Sequence, residues 1–441
     1  MMKTEFSSLV AAVSQRLALS GGPPDGIDMT GRVRHISASL LKVRLPGVFM
    51  GELCQILPDG ALAEVVAVDG EDALLSPFAS TVGLYCGQKV RPLRRRQQVP
   101  VGEALLGRVV DGLGQMLDGD ETWQGPWRDF DAPPPAALVR GLIDRPLLTG
   151  VRAIDSILTC GEGQRIGIFA AAGVGKSTLL SMLCDGADCE VIVLALIGER
   201  GREVREFLEH SLNAQTRRRC VVVVATSDKP PLERMRALYV ATTIAESFRD
   251  RGQRVLLMAD SLTRYARAAR EIAIEAGERA VAGSYPPSVF AALPRLLERT
   301  GKGRCGSITA FYTVLVEGDD MNEPLADEVR SLLDGHIVLS RQLAEAAHFP
   351  AIDVLASVSR IMPNVTSQMH LTLANEVRRL LSVYRDVELL VRVGEYQQGE
   401  DPLADLAVEK YAAINAFLQQ QENEPCHSDL LLQRLSALVA P

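Results

Sequence analysis

The chain has 441 residues, of which 47% are apolar and 23% are charged. This length exceeds that of one small domain, so we expect two or three domains with enough chain to bury a large core. The 47 basic and 55 acidic side chains give a net charge of −8, which disfavours a protein held mainly by bulk attraction to nucleic acid or anionic lipid.

No stretch of the sequence has the pattern of a membrane span, a secretory signal or a zinc site. The longest apolar run, Val191–Ile197, is strand-sized, whereas a membrane-spanning helix needs about 18–20 apolar residues. Met1–Ser20 lacks a basic start followed by a long apolar run. The eight cysteines form no C-x-x-C pair and the six histidines are dispersed, so we expect free thiols in a reducing compartment and no zinc.

The N-terminal part of the sequence divides into a tail and a β-rich region. Residues 1–25 are typical of a short helix that ends at a Gly-Gly-Pro-Pro break. Between residues 31 and 90, short β-rich runs alternate with turn pairs, which predicts a small antiparallel barrel or sandwich. These runs are Gly31–Ile36, Leu40–Leu45, Ala63–Val68 and Ala73–Leu75. The basic run Arg91–Arg96 that follows is either a solvated strand or the edge of a linker.

The central region alternates strand-like and helix-like stretches, which predicts a parallel sheet with helical crossovers. The strand candidates are mostly continuous apolar runs, as expected where helices cover both faces of a sheet. They are Arg165–Ala170, Val191–Ile197, Cys220–Ala225, Val255–Ala259 and Ser307–Val316. The helix candidates between them are Lys176–Cys184, Pro231–Arg251 and Ser261–Ala276.

The last part of the sequence, Thr366–Val439, has no convincing strand. Apolar residues recur at helical spacing in Leu371–Val393, which predicts a helical C-terminal domain. The expected architecture is therefore an α/β chain with a small N-terminal β-barrel, a parallel-sheet core and C-terminal helices.

The strongest chemical signal is the run Gly173-Val174-Gly175-Lys176-Ser177-Thr178, which lies between a predicted strand and a predicted helix. Glycines let the backbone N–H groups surround a phosphate, and the helix N-terminus adds a favourable dipole. Lys176 would reach the β- and γ-phosphates, and the Ser177 hydroxyl would bind Mg²⁺. The strict motif has glycine at position 170, where this chain has Ala170.

Two acidic residues complete the expected site. Asp260 ends the apolar run Val255–Ala259, as the metal-binding Asp of a Walker B strand does. Glu199 follows the strand Val191–Ile197 at its carboxyl end, where open α/β sheets bind ligands and where a carboxylate could position the attacking water. From spacing alone, Glu199 could equally be a surface residue of the charged run Glu199–Glu206.

Longer motifs resemble those of the rotary ATPase superfamily, and in particular its type III secretion (injectisome) branch. The resemblance covers about residues 30 to 435 and implies a RecA-like P-loop core. The run Gly198–Val204 is similar to the catalytic-glutamate segment of these enzymes, and Pro350–Ser359 is similar to the signature of F-type ATP synthase α and β subunits. Further runs similar to the export ATPases are Asp260–Ala266, Tyr285–Arg299 and Glu317–Arg330, the last of which matches the virulence enzymes best.

The resemblance implies roles for individual residues, and ATP and Mg²⁺ as the bound species. Glu199 would activate water, Arg264 would contact the γ-phosphate, and Arg360 would be an arginine finger that enters the neighbouring subunit's site. Phe349 matches a position at which relatives stack an aromatic ring, often Tyr, on adenine. Ala171 and Ala172 replace the Gly or Ser of relatives in the phosphate loop, and Arg200 belongs to the nucleotide-binding set.

The resemblance also implies partners and a cellular setting. The expected protein is a homohexameric motor of type III protein secretion, cytoplasmic and peripherally associated with the inner membrane. It would release and unfold chaperone-bound effectors beneath an export-gate membrane protein, with peripheral stator or sorting-platform proteins outside the ring. A central stalk protein would contact Glu271–Pro287. The expected segments are a tail (1–29), a barrel (30–92), an ATPase domain (93–362) and a helical docking domain (363–441).

Three alternatives stay open at this point. The first is a flagellar export ATPase, which the run Met321-Asn322-Glu323 argues against. The second is a hexameric RNA translocase, but residues 31–90 offer only three aromatic side chains (Phe49, Phe78 and Tyr85) for an oligonucleotide-binding barrel, so no nucleic-acid partner is expected. The third is a non-catalytic nucleotide-binding subunit, which would lack a carboxylate such as that of Glu199.

Overall fold

A computed structural model of the protein describes residues 30–119, 123–280, 285–316, 321–426 and 428–439. The chain forms two compact units that divide between Arg96 and Gln97. The helix expected within residues 1–25 lies outside the described residues.

The N-terminal unit is a closed antiparallel barrel. Its six strands are β1 Gly31–Ile36, β2 Leu41–Arg44, β3 Glu52–Ile56, β4 Ala61–Asp69, β5 Asp72–Pro77 and β6 Lys89–Arg96. They pair in the order β1-β2-β5-β4-β3-β6, and β6 closes onto β1. Side chains alternate between the interior and solvent: in β1, Val33 is buried while Arg32 and Arg34 are exposed. Of the two predicted alternatives, the structure is the barrel.

The sequence pattern missed β3 and left β6 undecided. Four of the five β3 residues are buried, including Glu52, whose carboxylate accepts hydrogen bonds from the backbone N–H groups of Phe49 (3.2 Å) and Arg94 (2.9 Å). These bonds let a charged residue occupy an interior strand position. Of the two alternatives for the basic run Arg91–Arg96, the structure shows the solvated strand. It lies in β6, where Val90 is buried while Lys89 is exposed.

The described part of the second unit contains thirteen strands. They are β7 Gln98–Pro100, β8 Val109–Asp111, β9 Trp127–Asp129, β10 Pro146–Leu147, β11 Cys160–Gly161, β12 Arg165–Ala170, β13 Val191–Ile197, β14 Cys220–Ala225, β15 Arg254–Asp260, β16 Gly301–Lys302, β17 Ser307–Leu315, β18 Gly335–Leu339 and β19 Val358–Ser359. The main sheet has the order β19-β18-β12-β17-β15-β13-β14-β8, with β16 paired to β17. Its pairs are parallel except β18–β19 and β16–β17. The predicted parallel sheet is therefore confirmed.

The α-helices of the described ranges all lie in this second unit. They are α1 Arg152–Ile157, α2 Lys176–Gly186, α3 Gly201–Glu206, α4 Ala214–Arg218, α5 Pro231–Arg249, α6 Leu262–Glu275, α7 Pro287–Leu297, α8 Pro324–Leu332, α9 Arg341–Glu345, α10 Met362–Val365, α11 Gln368–Val393, α12 Pro402–Leu418 and α13 Ser428–Val439. Short 3-10 helices at Glu103–Leu105 and Ala137–Val139 and a π-helical turn at Phe207–Ser211 complete the set. Among the described helices, none has the length and apolar character needed to cross a membrane.

Helices cover both faces of the main sheet, which explains the continuous apolar runs. All seven residues of β13 are buried. Leu194 packs into one hydrophobic cluster together with Leu183 of α2, whereas Val193 packs into a second cluster with Leu238 of α5. Four strands of the main sheet escaped the sequence analysis. Three of them, β8, β16 and β19, have only two or three residues, and β18 begins with glycine and alternates in burial.

The C-terminal helices pack against the sheet unit through the same cluster that contains α2. Val377 of α11 and Phe417 of α12 belong to this cluster. The Ser367 side chain caps α11 by accepting from the His370 N–H (3.2 Å), and Gly394 ends the helix with a left-handed φ of 79°. The expected fold class, with a barrel, a central parallel sheet and C-terminal helices, is confirmed.

A fully buried ion pair connects the end of α7 to α5. Arg299 and Glu246 are each 2% exposed, and two guanidinium nitrogens of Arg299 donate to the Glu246 carboxylate at 2.7 and 3.0 Å. Arg299 also donates to the Phe130 carbonyl (2.6 Å) and to the Thr243 hydroxyl (2.9 Å). Every hydrogen bond that the Arg299 side chain donates therefore joins segments distant in sequence.

We predict that Arg299→Ala destabilises the protein by about 3–5 kcal/mol, because it leaves the Glu246 carboxylate buried without its cation. The measurement is the midpoint of thermal unfolding by circular dichroism. Arg304→Ala removes an exposed arginine a few residues away and is the matched control. Equal midpoints for the two variants would show that the pair is not needed.

Candidate active site

The loop between β12 and α2 has the backbone geometry of an anion-binding loop. Gly173 and Gly175 adopt left-handed φ angles of 81° and 87°, which cost a glycine little because it has no Cβ. Gly175 immediately precedes α2 and offers no capping side chain. The N–H groups of the first helical turn therefore remain available, and together with the helix dipole they favour a bound phosphate.

The alanines of this loop fit its geometry. Ala170, where the strict motif has glycine, still belongs to β12 and pairs with Leu315 and Leu339 in the neighbouring strands. An extended strand position does not require glycine. Ala171 is buried and Ala172 is exposed, while Val174 is buried in the cluster that contains α2 and so anchors the loop.

Lys176 lies against two carboxylates at the carboxyl edge of the main sheet. Its Nζ donates to Oδ1 of Asp260 and lies 3.6 Å from Oε1 of Glu199. All three side chains are largely buried, with 6–13% exposure. Asp260 ends β15 and Glu199 follows β13, so the parallel strands bring together residues that are far apart in sequence. Of the two alternatives for Glu199, the structure excludes the exposed surface residue.

The surroundings of Glu199 change its acidity. Burial, followed by the nearby Asp260 carboxylate, raises the pKa of Glu199 above its ordinary value of 4.5. Lys176 and Arg264 act in the opposite direction and favour the carboxylate form. The pKa of Glu199 thus depends first on its burial and then on its charged neighbours, among them Asp260, Lys176 and Arg264.

Arg264 contacts the turn that carries Glu199. Its Nη1 donates to the Gly198 carbonyl (2.5 Å) and its Nη2 donates to Glu199 Oε2 (3.2 Å). A Cβ at position 198 would lie 2.8 Å from Arg264 Cδ, so glycine lets the two segments approach. Within the described residues, the buried Nε of Arg264 has no hydrogen-bond partner.

The donor set near the phosphate loop fits a magnesium ion. Asp260 supplies a carboxylate that is held by the Thr313 hydroxyl, which donates to Oδ1 at 2.7 Å. Ser177 supplies an exposed hydroxyl in the first turn of α2, and Thr178 beside it is also exposed. Carboxylate and hydroxyl oxygens with room for water are the ligands that Mg²⁺ prefers. Sequence analysis missed Thr313, although a polar residue inside an apolar strand was a usable signal.

Phe349 lies on the other side of the phosphate loop. A Cβ added to Gly175 would touch the Phe349 ring at 3.4 Å. Phe349 is 41% exposed and lines a cavity of about 630 Å³, together with Thr178 and residues 419–422 and 424 that follow α12. The backbone N–H of Gln420 donates to the Phe349 carbonyl (2.9 Å). No sequence pattern marked Gln420.

The structure leaves two predicted residues away from this cluster. The Arg200 side chain is 79% exposed and pairs with Glu203 at 3.2 Å. Arg360 follows β19 and is exposed; its backbone N–H bonds to the Asp334 carbonyl, just before β18 begins. Since β18 runs parallel to β12, Arg360 lies at the amino edge of the sheet, opposite its own phosphate loop. Residues 317–320 of the Glu317–Arg330 motif lie outside the described ranges.

Comparison with known proteins identifies the family. Residues 150–359 match the profile of the ATP synthase alpha/beta family, nucleotide-binding domain, and residues 366–437 match the T3SS EscN ATPase C-terminal domain. The chain is 65% identical over 425 residues to the SPI-2 type 3 secretion system ATPase of Salmonella typhimurium, which covers 96% of this chain and 98% of that protein. The chain belongs to the type III secretion system ATPases.

Solved structures agree with this family. The assembled ATPase EscN of the enteropathogenic E. coli type III secretion system is 51% identical, with a TM-score of 0.90 over 93% of this chain and 100% of that chain. EscN has also been solved in complex with its central stalk EscO, and that structure matches with a TM-score of 0.86. The expected resemblance, the ATPase activity and the secretion class are confirmed.

The flagellar alternative is related but not favoured. The flagellum-specific ATP synthase of Bacillus subtilis is 46% identical over 428 residues, which cover 94% of this chain and 97% of that protein. This identity is well below the 65% shared with the secretion ATPase of Salmonella.

We predict that kcat/KM for ATP falls on the acid side at a pH above 4.5, because the role expected of Glu199, to accept a proton from water, requires its carboxylate form. As pH decreases, a carboxyl group with a raised pKa is protonated earlier than a free glutamate. Since Arg264 lowers this pKa, Arg264→Ala should move the acid limb to higher pH.

The measurement is a pH–rate profile of phosphate release for both enzymes, with circular dichroism at each pH as a control for folding. Titration of ATP itself is common to both and cancels in the comparison. Acid limbs that coincide would show that Arg264 does not act on the titrating group.

Proposed function

We propose that this ATPase binds ATP at Gly173–Thr178 and hydrolyses it with Glu199 as the residue that activates water. The observation that carries this proposal is the convergence of Lys176, Asp260 and Glu199, which come from three segments of the chain. A cation beside a Gly-rich loop suits the β- and γ-phosphates, and two carboxylates suit a metal ion and a water molecule. A nucleotide-binding subunit without catalysis would not need the second carboxylate.

The residues act in a definite order. On arrival of ATP, Lys176 exchanges its contacts with the carboxylates for contacts with phosphate oxygens, while the loop N–H groups hold the β-phosphate. Asp260 and Ser177 would hold the magnesium ion, which supplies charge neutralisation at the phosphates. Glu199 accepts a hydrogen bond from the attacking water, and Arg264, with a free Nε, contacts the γ-phosphate as charge develops.

Phe349 is proposed to stack on the adenine ring. It is partly exposed, its ring lies where a Cβ on Gly175 would touch it, and it lines the cavity beside the phosphate loop. Phenylalanine retains the π-face of the tyrosine found in relatives, so stacking does not depend on the missing hydroxyl. Arg200 is proposed as a further nucleotide-binding residue, and its exposed side chain would have to exchange Glu203 for the nucleotide.

Arg360 is proposed to complete the site of a neighbouring subunit in a homohexamer. Within one chain, Arg360 and the phosphate loop lie at opposite ends of β12. A six-residue strand at about 3.3 Å per residue separates them by roughly 15–20 Å. Because one chain cannot easily bring the two together, a second copy is the natural source of the finger.

The proposed cellular role is release and unfolding of chaperone-bound effectors for export. The helices after residue 363 would receive the chaperone–effector complexes. The structure of EscN with its central stalk supports a stalk protein as partner. Its proposed contact is Glu271–Pro287, of which residues 281–284 lie outside the described ranges. Peripheral stator proteins and a membrane export gate would hold the cytoplasmic ring near the inner membrane.

We predict that Lys176→Ala and Glu199→Gln fail at different steps. Lys176→Ala should lose both ATP binding and hydrolysis, since the phosphates lose their cation. Glu199→Gln should still bind ATP, but hydrolyse it about 10²–10⁴-fold more slowly, because the amide cannot accept a proton from water.

Binding is measured with a fluorescent ATP analogue and turnover by phosphate release. Glu206→Gln, an exposed glutamate at the end of α3, is the control and should behave like wild type. Unchanged hydrolysis by Glu199→Gln would favour a non-catalytic nucleotide site and overturn the proposed role.

We predict that Arg360→Ala lowers turnover by about 10³–10⁵-fold, the contribution of an arginine finger. If the finger acts in trans, mixing Arg360→Ala with Lys176→Ala before assembly should restore activity. Intact sites from one variant then meet intact fingers from the other at about one interface in four.

The measurement is ATP turnover of each variant alone and of the mixture, at several protein concentrations. Wild-type turnover per subunit should rise steeply with concentration as rings assemble. A mixture that is no more active than its components would exclude a finger in trans.

A further inference from the structure

The backbone beneath Arg360 is fixed on its own subunit, although the side chain is not. The Arg360 N–H donates to the Asp334 carbonyl at 3.0 Å. The preceding residue, Ser359, pairs with Gly335 across β19 and β18. In the described part of the chain, the exposed guanidinium of Arg360 makes no hydrogen bond or ion pair, so the fixed backbone alone sets where it can reach.

Asp334, whose carbonyl accepts from the Arg360 N–H, accepts three hydrogen bonds from Arg165 through its carboxylate. Oδ2 of Asp334 accepts from the backbone N–H (3.0 Å) and from Nε (3.1 Å) of Arg165, and Oδ1 accepts from Nη2 (3.1 Å). The Asp334 N–H in turn donates to the Arg165 carbonyl (2.9 Å). Arg165 also bonds to Glu298 at 2.5 Å, so its guanidinium has little freedom.

The buried side chain of Gln164 connects Asp334 to Ser359, the residue before Arg360. Gln164 is fully buried, and its Nε2 donates to the Asp334 carbonyl and to Ser359 Oγ, each at 3.2 Å. Its Oε1 accepts from the Gly161 N–H (2.8 Å), which fixes the orientation of the amide. Ser359 Oγ donates onward to the Thr159 carbonyl (2.8 Å).

From these contacts we infer that Asp334, Gln164 and Ser359 are positioning residues for Arg360, and so act on hydrolysis in the neighbouring subunit's site and not in their own. This inference rests on the proposed trans role of Arg360. It follows from the placement of the bonds: they fix the backbone at residues 334, 359 and 360, and they lie at the amino edge of the sheet, away from Lys176 of the same chain.

The size of the effect follows from the sensitivity of catalysis to position. A displacement of a catalytic group by about 1 Å can reduce the rate by as much as 10²-fold. Loss of one anchor should therefore lower turnover by about 10- to 100-fold, less than the loss of Arg360 itself. KM for ATP should change little, because the nucleotide is held by the other subunit.

The test uses two variants that remove one anchor each. Asp334→Asn weakens the contact with Arg165, and Ser359→Ala removes the hydroxyl that Gln164 and Thr159 share. Ser359→Thr retains a hydroxyl and should keep most of the activity. Asp188→Asn is the matched control, because Asp188 makes a comparable two-point contact with Arg254 (3.1 and 3.2 Å) at the same edge of the sheet.

Mixing experiments separate a finger defect from a general structural defect. Lys176→Ala has an intact finger and no working site. When Asp334→Asn is mixed with it, turnover should rise to about a quarter of the wild-type value. Asp334→Asn mixed with Arg360→Ala should stay low, since neither variant supplies a well-placed finger. Ser359→Ala should follow the same pattern, while Asp188→Asn alone should match wild type.

Each result has a distinct meaning. Wild-type turnover by both Asp334→Asn and Ser359→Ala would overturn the inference. It would also be overturned if Arg360→Ala, and not Lys176→Ala, restored the activity of these variants, because the defect would then lie in their own site. If Arg360→Ala and Lys176→Ala do not restore each other, the trans finger fails as well. If they do restore each other, the trans finger holds, and the Asp334 and Ser359 variants test only whether these residues position Arg360.

Discussion

The ammonium group of Lys176 lies between two carboxylates that would otherwise repel each other in a nearly dry pocket. Asp260 and Glu199 end different strands, and Lys176 begins the helix after a third. The three groups can meet only if these strands are parallel and end at the same edge. The sheet order β12-β17-β15-β13 is therefore a requirement of the site as well as a way to bury apolar side chains.

The two edges of this sheet carry different chemistry. The carboxyl edge holds the phosphate loop, the two carboxylates and Arg264. The amino edge holds Arg–carboxylate contacts such as Arg165 with Asp334 and Arg254 with Asp188, which fix the starts of strands. β12 connects the edges directly, since it begins at Arg165 and ends at the phosphate loop. Parallel topology thus places the phosphate loop and Arg360, which is proposed to act in a neighbouring subunit, at opposite edges of the sheet.

Much of this arrangement was predictable from sequence because it depends on local patterns. The continuous apolar runs of β12, β13 and β14 gave their exact bounds, and the Gly-rich run following β12 gave the phosphate loop. Asp260 was marked by its place at the end of such a run. β3 and β18 were missed because Glu52 and His336 interrupt their patterns, and only tertiary contacts, such as the bonds of Glu52 to backbone N–H groups, make such residues acceptable in a strand.

The sequence did not show which distant partners certain residues would contact. Thr313 matters because it meets Asp260 across two strands, and Arg299 matters because its bonds reach back to Phe130. The strand order was also needed to show that Arg360 lies far from its own phosphate loop. The resemblance to known ATPases, not spacing, suggested a role for that residue.

Gln420, which follows α12, bonds to the backbone of Phe349, and the Phe349 ring lies beside the phosphate loop. Its side chain bridges the Arg152 N–H (2.7 Å) and the Gly150 carbonyl (2.8 Å), while its backbone N–H holds the Phe349 carbonyl (2.9 Å). A pull on α12 must therefore either move the ring that borders Gly175 or break these bonds. Under the proposed roles of the C-terminal helices and of Phe349, strain that cargo places on α12 would reach the adenine side of the site through Gln420.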